Sequence, residues 1–245
     1  MVVADSNCWH LQSYRHATWN SQKELLSKFR CPTISPMNNV ASRTIYIDIE
    51  SAGRARRAPI IELAAIAVES GSYRELDSID MKLEFAMKEA DPRFLGVNKF
   101  SPTVWEKYAL PERDAAAKLA AFLRRHATTE RTSPKTGKPY LVAQLAGFNS
   151  NRFDIPRLEQ LFQRHKLFFP ACRRSLCVMQ KTQWFFEDNQ ALQPGPDNFS
   201  LAALADYFRL ATQPDHTALS DVRATVELAR LLAEFHRISA TAAAA

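Results

Sequence analysis

A chain of 245 residues with 46% hydrophobic and 24% charged content can bury a full core in one α/β domain of ordinary size, which excludes a disordered or fibrous protein. No apolar run approaches the ~20 residues of a membrane helix, and the N-terminus lacks the basic, apolar and small-residue succession of a secretory signal, so a soluble, cytoplasmic protein without membrane contact is expected. The formal net charge of +6 at pH 7 is a moderate bias toward polyanions, compatible with nucleic acid.

Residues 1–41 are polar and irregular and read as an N-terminal extension, with a helical turn or two at Glu24 to Phe29 and a linker at Cys31-Pro32 and Ser35-Pro36. Cys8, Cys31, Cys172 and Cys177 are sparse, as in a reducing compartment. The spacing of Cys8, His10, His16 and Cys31 matches no common zinc finger, which favours scattered surface residues.

The organising stretch is Thr44-Ile45-Tyr46-Ile47-Asp48-Ile49-Glu50, a strand by its alternation and its β-branched residues. Its polar face carries two carboxylates. Such a pair repels and resists desolvation, and a divalent cation between them would remove both costs. The plain alternative is an acidic solvent face. Ser51 to Arg57 follows as a turn with three arginines, either a solvated loop or a grip on a phosphate chain.

Ile60 to Val68 reads as a buried strand interrupted by Glu62, and Ile79, Met81, Leu83 and Phe85 alternate as a third strand of an antiparallel meander. Ser101-Pro102 starts a short helix through Trp105, and a second helix runs from Glu112 to His126. The segment Thr128 to Pro139, with Arg131, Lys135 and Lys138, reads as a polar surface loop in preference to a basic flap. Tyr140 to Gly147 is expected as a fourth strand parallel to the first, followed by a polar turn, Phe148 to Phe153, and an amphipathic helix carrying Ile155, Leu158 and Phe162. Residues 171–178 give a short fifth strand, Glu187 to Asn198 a loop, and Leu201, Leu204 and Phe208 a helix. Val222, Thr225, Leu228, Leu232 and Phe235 line a long last helix ending near Ile238, with residues 240–245 as a tail, frayed from Ala242 to Ala245.

Two further acids stand out by position. Asp154 lies where a helix begins, and Asp221 in the first turn of the last helix; for each, complementing the helix dipole is a sufficient explanation in isolation. His216, in the loop leading to Asp221, adds a proton acceptor that titrates near neutrality.

Taken together, Asp48-Ile49-Glu50, Asp154, and His216 with Asp221 resemble the three motifs of the DEDD superfamily of 3′–5′ exonucleases, in its histidine-bearing DEDDh branch, a DnaQ-like group. The resemblance covers about residues 42–239. It implies an α/β ribonuclease H-like fold, a mixed five-stranded sheet flanked by helices. Four residues separate Asn149 from Asp154, and Arg152-Phe153-Asp154 is followed one residue later by Pro156, a pattern similar to the TREX three-prime repair exonucleases. Ile49 stands where that family often has threonine, and Phe148 where histidine often precedes the asparagine.

The resemblance implies Asp48, Glu50, Asp154 and Asp221 as metal ligands for two Mg²⁺ ions, with Mn²⁺ as a substitute, and His216 as general base. Ser51, Asn149 and Phe153 would seat the terminal nucleotide. The implied substrate is nucleic acid with a free 3′ end, single-stranded DNA foremost, cleaved to nucleoside 5′-monophosphates; a homodimer is compatible with it. The alternatives are an RNA exonuclease on the same scaffold, a polymerase-associated proofreading subunit, and a non-catalytic nucleic-acid-binding module.

Overall fold

The computed structural model describes residues 42–192 and 194–244, so the readings made for residues 1–41 lie outside the described residues. The strand β1, Arg43–Ser51, is central. β2, Ile60–Glu69, pairs with it antiparallel, and β3, Glu75–Lys82, pairs antiparallel with β2, so the meander expected from the short connections is present. On its other side β1 pairs in parallel with β6, Gln144–Gly147, which in turn pairs in parallel with β7, Leu176–Cys177. The result is a mixed five-stranded sheet in the order β3-β2-β1-β6-β7, the α/β architecture that the motifs imply.

Both faces of the sheet are covered. Ile45, Ile47 and Ile49 pack against α3, Glu112–Arg125, and α4, Asp154–Arg164, through Leu119, Phe122, Leu158 and Phe162. Tyr46, on the opposite face, is only 5% exposed and lies in a cluster with Val222, Leu228 and Leu232 of the last helix, α7, Ala218–Ala244. α5, Val178–Asp188, and α6, Leu201–Phe208, complete that layer. Two short helices, α1, Pro92–Val97, and α2, Pro102–Tyr108, pack beside the outer part of the sheet, where Leu95 and Trp105 meet Ala52 and Ile61. No helix among the described residues is long and apolar enough to cross a membrane. Cys172 and Cys177 are free thiols.

Several elements differ from the sequence expectation, among them the helix α5, which follows the short fifth strand directly. The polar loop at 128–139 is a hairpin: β4, Thr129–Thr132, pairs with β5, Pro139–Val142, around a turn in which Gly137 takes φ 67°. Its strands are mostly exposed on both faces, so no apolar alternation announces them. The expected single strand from Tyr140 to Gly147 is split at Ala143, whose N–H donates to Pro170 O and whose carbonyl accepts from Cys172 N. Backbone pairing therefore changes partner in mid-segment. β3 ends at Lys82; Leu83 bridges to Leu110 and Phe85 packs edge-on to Phe100. The last helix continues to Ala244, past the end of its apolar period at Ile238. α1 was legible but unassigned, since Asp91 caps it by accepting from Arg93 N and Pro92 occupies the first turn.

One glycine fixes how closely two strands approach. A Cβ on Gly147, the last residue of β6, would lie 2.7 Å from the Ile47 carbonyl oxygen and 2.8 Å from Ser150 Cβ. The obstacle is backbone, which a rotamer change does not move. Gly147→Ala is therefore expected to destabilise the fold by about 1–3 kcal/mol, read as a lower urea midpoint at unchanged slope. An unchanged midpoint would mean that β6 can move away from β1 without cost.

Candidate active site

The acids gather where β1 ends. Asp48 and Glu50 project from the same face of the strand as Tyr46, at the point where the helical cover gives way to a cleft of about 370 Å³. Asp48, Glu50, Asp154 and Asp221 all line this cleft, together with Asn149, Phe153, Phe148, Met179 and Phe199. A larger hollow of about 890 Å³, between β5, α4 and residues 167–174, has Glu159 as its only acidic lining residue among those described. The chemistry-bearing residues are in the smaller one.

Each acid is delivered by a different device. A bulge between Glu50 and Ser51 ends the regular β1–β2 register just after the second acid. The turn from β6 into α4 is made by Asn149, whose φ of 57° is one that asparagine tolerates. Ser150 and Asn151 anchor this turn to Ser175, the Asn151 amide donating to Ser175 O at 2.9 Å and its oxygen accepting from Ser175 N at 2.9 Å. Asn151 is thus a structural residue, and Asn149 faces the cleft.

Asp154 is 2% exposed, and its Oδ1 accepts from the Ile49 N–H at 3.1 Å. That bond ties the first residue of α4 to β1 between the two strand acids. Asp221 accepts from Asp215 N at 3.1 Å, while Asp215 is itself engaged by Thr217 Oγ1 at 2.7 Å and by Lys99 Nζ at 2.6 Å. His216 sits between them with φ 61° and is exposed. One ligand-type atom each from Glu50, His216 and Asp221 lies within 4.8 Å of the other two.

Among the described residues no lysine or arginine forms an ion pair with Asp48, Glu50 or Asp221. Burial pushes the Asp48 carboxyl well above the usual range, and the neighbouring Asp154, Glu50 and Asp221 add to it. Burial, then repulsion from Asp221, pushes Glu50 up to about 8. Asp221 is raised by burial against the Asp215 N–H bond, and Asp154 is raised by burial against the Ile49 N–H bond. An acidic solvent face would leave its carboxylates in the ordinary range. Hard carboxylate oxygens, crowded, half-buried or buried and lacking an ion-paired lysine or arginine among the described residues, form a donor set suited to a divalent cation.

A carboxyl whose folded pKa exceeds its unfolded value stabilises the fold below the unfolded value and loses that contribution as pH rises through the folded one. For Glu50 the window runs from 4.5 to about 8, and Asp48 and Asp221 act in the same sense. In EDTA the melting temperature is expected to fall between pH 5 and pH 8.5 beyond what a Glu50→Gln variant shows, and Mg²⁺ should restore most of the loss at the higher pH. Each kcal/mol is about 2–4 °C for a chain of this size. A wild-type profile matching that of Glu50→Gln would refute the raised Glu50 pKa.

The other sequence-predicted residue, Ser51, does not line the cleft. It is 3% exposed, its hydroxyl donates to Gly53 O at 2.9 Å, and its carbonyl accepts from Asn98 Nδ2. Several contributors went unpredicted. Met179 and Phe199 complete the apolar wall from segments without a motif. Glu62, opposite Glu50 in the β1–β2 register, is 2% exposed and paired with Lys82 Nζ at 3.2 Å. Arg157, 5% exposed, stacks its guanidinium 3.7 Å from the Phe153 ring centre and donates to Phe153 O. Only the Asp154-to-Arg157 spacing on one helix face hinted at it.

No protein-family model and no curated protein matches the sequence. Among solved structures the chain is similar to an exonuclease I, with TM-score 0.62 and 19% identity over 79% of this chain and 43% of that one. It is similar to Escherichia coli exonuclease I in complex with a dT13 oligonucleotide, at TM-score 0.60 and 20% identity over 78% and 41%. It is also similar to a moderately thermophilic exonuclease I from Methylocaldum szegediense, at TM-score 0.61 and 20% identity over 79% and 40%. The chain thus spans less than half the length of these proteins. Likeness at this identity establishes the fold, a ribonuclease H-like one.

Proposed function

We propose that this chain is a divalent-metal-dependent 3′–5′ exonuclease of the DEDDh type, acting on single-stranded DNA and releasing nucleoside 5′-monophosphates. The observation that carries the reading is the convergence of Asp48, Glu50, Asp154 and Asp221, from three separate parts of the chain, on one cleft with an aromatic wall. The fold shared with exonuclease I supports it. The asparagine-to-aspartate spacing in Asn149 to Asp154 favours a TREX-like relationship within that superfamily.

Asp48, Glu50, Asp154 and Asp221 would hold the two Mg²⁺ or Mn²⁺ ions. When bound, such ions acidify the attacking water and offset charge on the scissile phosphate and the leaving 3′ oxygen. The chain's own residues do the rest. The His216 imidazole, beside Glu50 and Asp221, accepts the proton of the attacking water and, being exposed, returns it to solvent. Phe153 and Phe148 offer rings to the terminal base. Asn149, which lines the cleft, stands ready for the terminal sugar. A cleft of about 370 Å³ accommodates about one nucleotide, which favours attack at an end over attack within a strand.

The test is parallel digestion of matched 5′-labelled DNA and RNA oligonucleotides with Mg²⁺ and with EDTA. The expected result is a ladder shortening from the 3′ end of DNA, abolished by EDTA. Faster loss of the RNA would make the chain a ribonuclease on the same site. Absence of mononucleotide with both Mg²⁺ and Mn²⁺ would refute the enzymatic reading.

A further inference from the structure

We infer that the hollow between the β1–β2 loop and residues 88–91 is a second seat for the nucleic-acid strand, holding a backbone phosphate upstream of the scissile one. The inference rests on the exonuclease reading for the direction of the strand, and on independent geometry for the site.

This hollow, about 720 Å³, is lined by Arg54, Arg57 and Lys88 among others. All three side chains are exposed, and among the described residues none has an ion pair. The two acids of the lining differ in state: Asp91 is held by Arg93 at 2.7 Å, and Glu89 is exposed. The balance of uncommitted charge is therefore positive. The hollow and the acidic cleft are joined through one short stretch of chain. The chain passes from Glu50, in the wall of the cleft, to Ala52, in the wall of the hollow. Two residues of extended chain span roughly 7 Å, a step comparable with that between successive nucleotides of an extended strand.

A loop that reads a phosphate needs a fixed backbone under mobile cations, and this one has it. Ala52 N donates to Pro59 O at 2.9 Å, Ala58 N to Ala55 O at 2.8 Å, and Asp91 N to Ala52 O at 2.8 Å, closing the loop and joining it to the opposite wall. Arg157 reaches across from α4, its Nη2 donating to Arg54 O at 2.8 Å and Ala55 O at 3.2 Å while its plane lies on Phe153. One buried guanidinium thus fixes the cationic loop relative to a ring of the acidic cleft. Arg157 is a positioning residue, and Arg54 and Arg57 make the contact. Phosphate contacts set register without reading sequence, so the hollow would hold any base sequence in line with the cleft.

The experiment is fluorescence anisotropy of a 5′-fluorescein oligothymidylate with the full chain in EDTA, titrated over a series of KCl concentrations. Arg54→Ala/Arg57→Ala is expected to weaken binding about 10-fold at low salt and to flatten the dependence of log K on log salt by about 1.4, at about 0.7 per single-strand phosphate contact. Arg113→Ala/Lys118→Ala removes the same charge from the exposed face of α3 and should keep the wild-type slope. An unchanged slope in the first variant, equal flattening in both, or no binding by the wild type would overturn the inference. A wild type that binds with these slopes yet releases no nucleotide would leave the seat standing and sink the exonuclease reading.

Discussion

Replacing Asp48 by asparagine is expected to abolish nucleotide release from a 3′ end while leaving a folded protein that melts higher than wild type in EDTA. The two effects have one cause. Asp48 is raised by burial and by four neighbouring acids, with no ion-paired cation among the described residues. An amide of nearly the same shape removes that repulsion, which stabilises the metal-free fold. It also removes the charged oxygen that a hard cation requires, and an amide binds such an ion far more weakly. Calorimetry with Mn²⁺ should show the loss of affinity alongside the loss of activity, and thermal unfolding in EDTA the gain. Retained cleavage would remove Asp48 from the mechanism. A lower melting temperature would mean that its carboxylate makes a stabilising contact in the metal-free state.

His216→Ala is expected to slow turnover by about 10²–10⁴-fold, the usual worth of a general base, with metal affinity nearly unchanged. His216 lies with Glu50 and Asp221, their ligand-type atoms all within 4.8 Å of one another, so the position alone also permits an imidazole ligand. Calorimetry separates the two: lost metal affinity would place the imidazole among the ligands. The left-handed φ of 61° requires a second variant, because alanine is strained there. His216→Asn keeps a residue type that accepts this backbone and removes the titrating ring. Equal slowing in both variants assigns the loss to the imidazole; a much milder Asn variant would assign it to the loop between Asp215 and Asp221.

How much of this could be read from the sequence differs from residue to residue. The identity of β1 was legible because alternation along seven residues is a local property. What covers its polar face was not: Tyr46 looked like a solvent-facing residue beside two acids, yet α7, from the far end of the chain, buries it. The hairpin at 129–142 was misread because exposed strands carry no periodic signal, and the change of strand partner at Ala143 depends on residues 170–172. The four acids were found by motif spacing, and all line the cleft. Met179 and Phe199 were not found, since an apolar residue in a cleft looks the same in sequence as one in a core.

By itself, then, the sequence determined which side chains carry the charge and where β1, β2, α3 and α4 run, because both are set by residue type and short-range spacing. Only the tertiary structure decided that the acids crowd together in a half-buried cleft, that Arg157 joins α4 to the basic loop, and that Glu62 finds Lys82. The reason is physical: desolvation and ion pairing depend on what lies within a few ångströms in space, and here those neighbours are separated by 20 to more than 100 residues of chain.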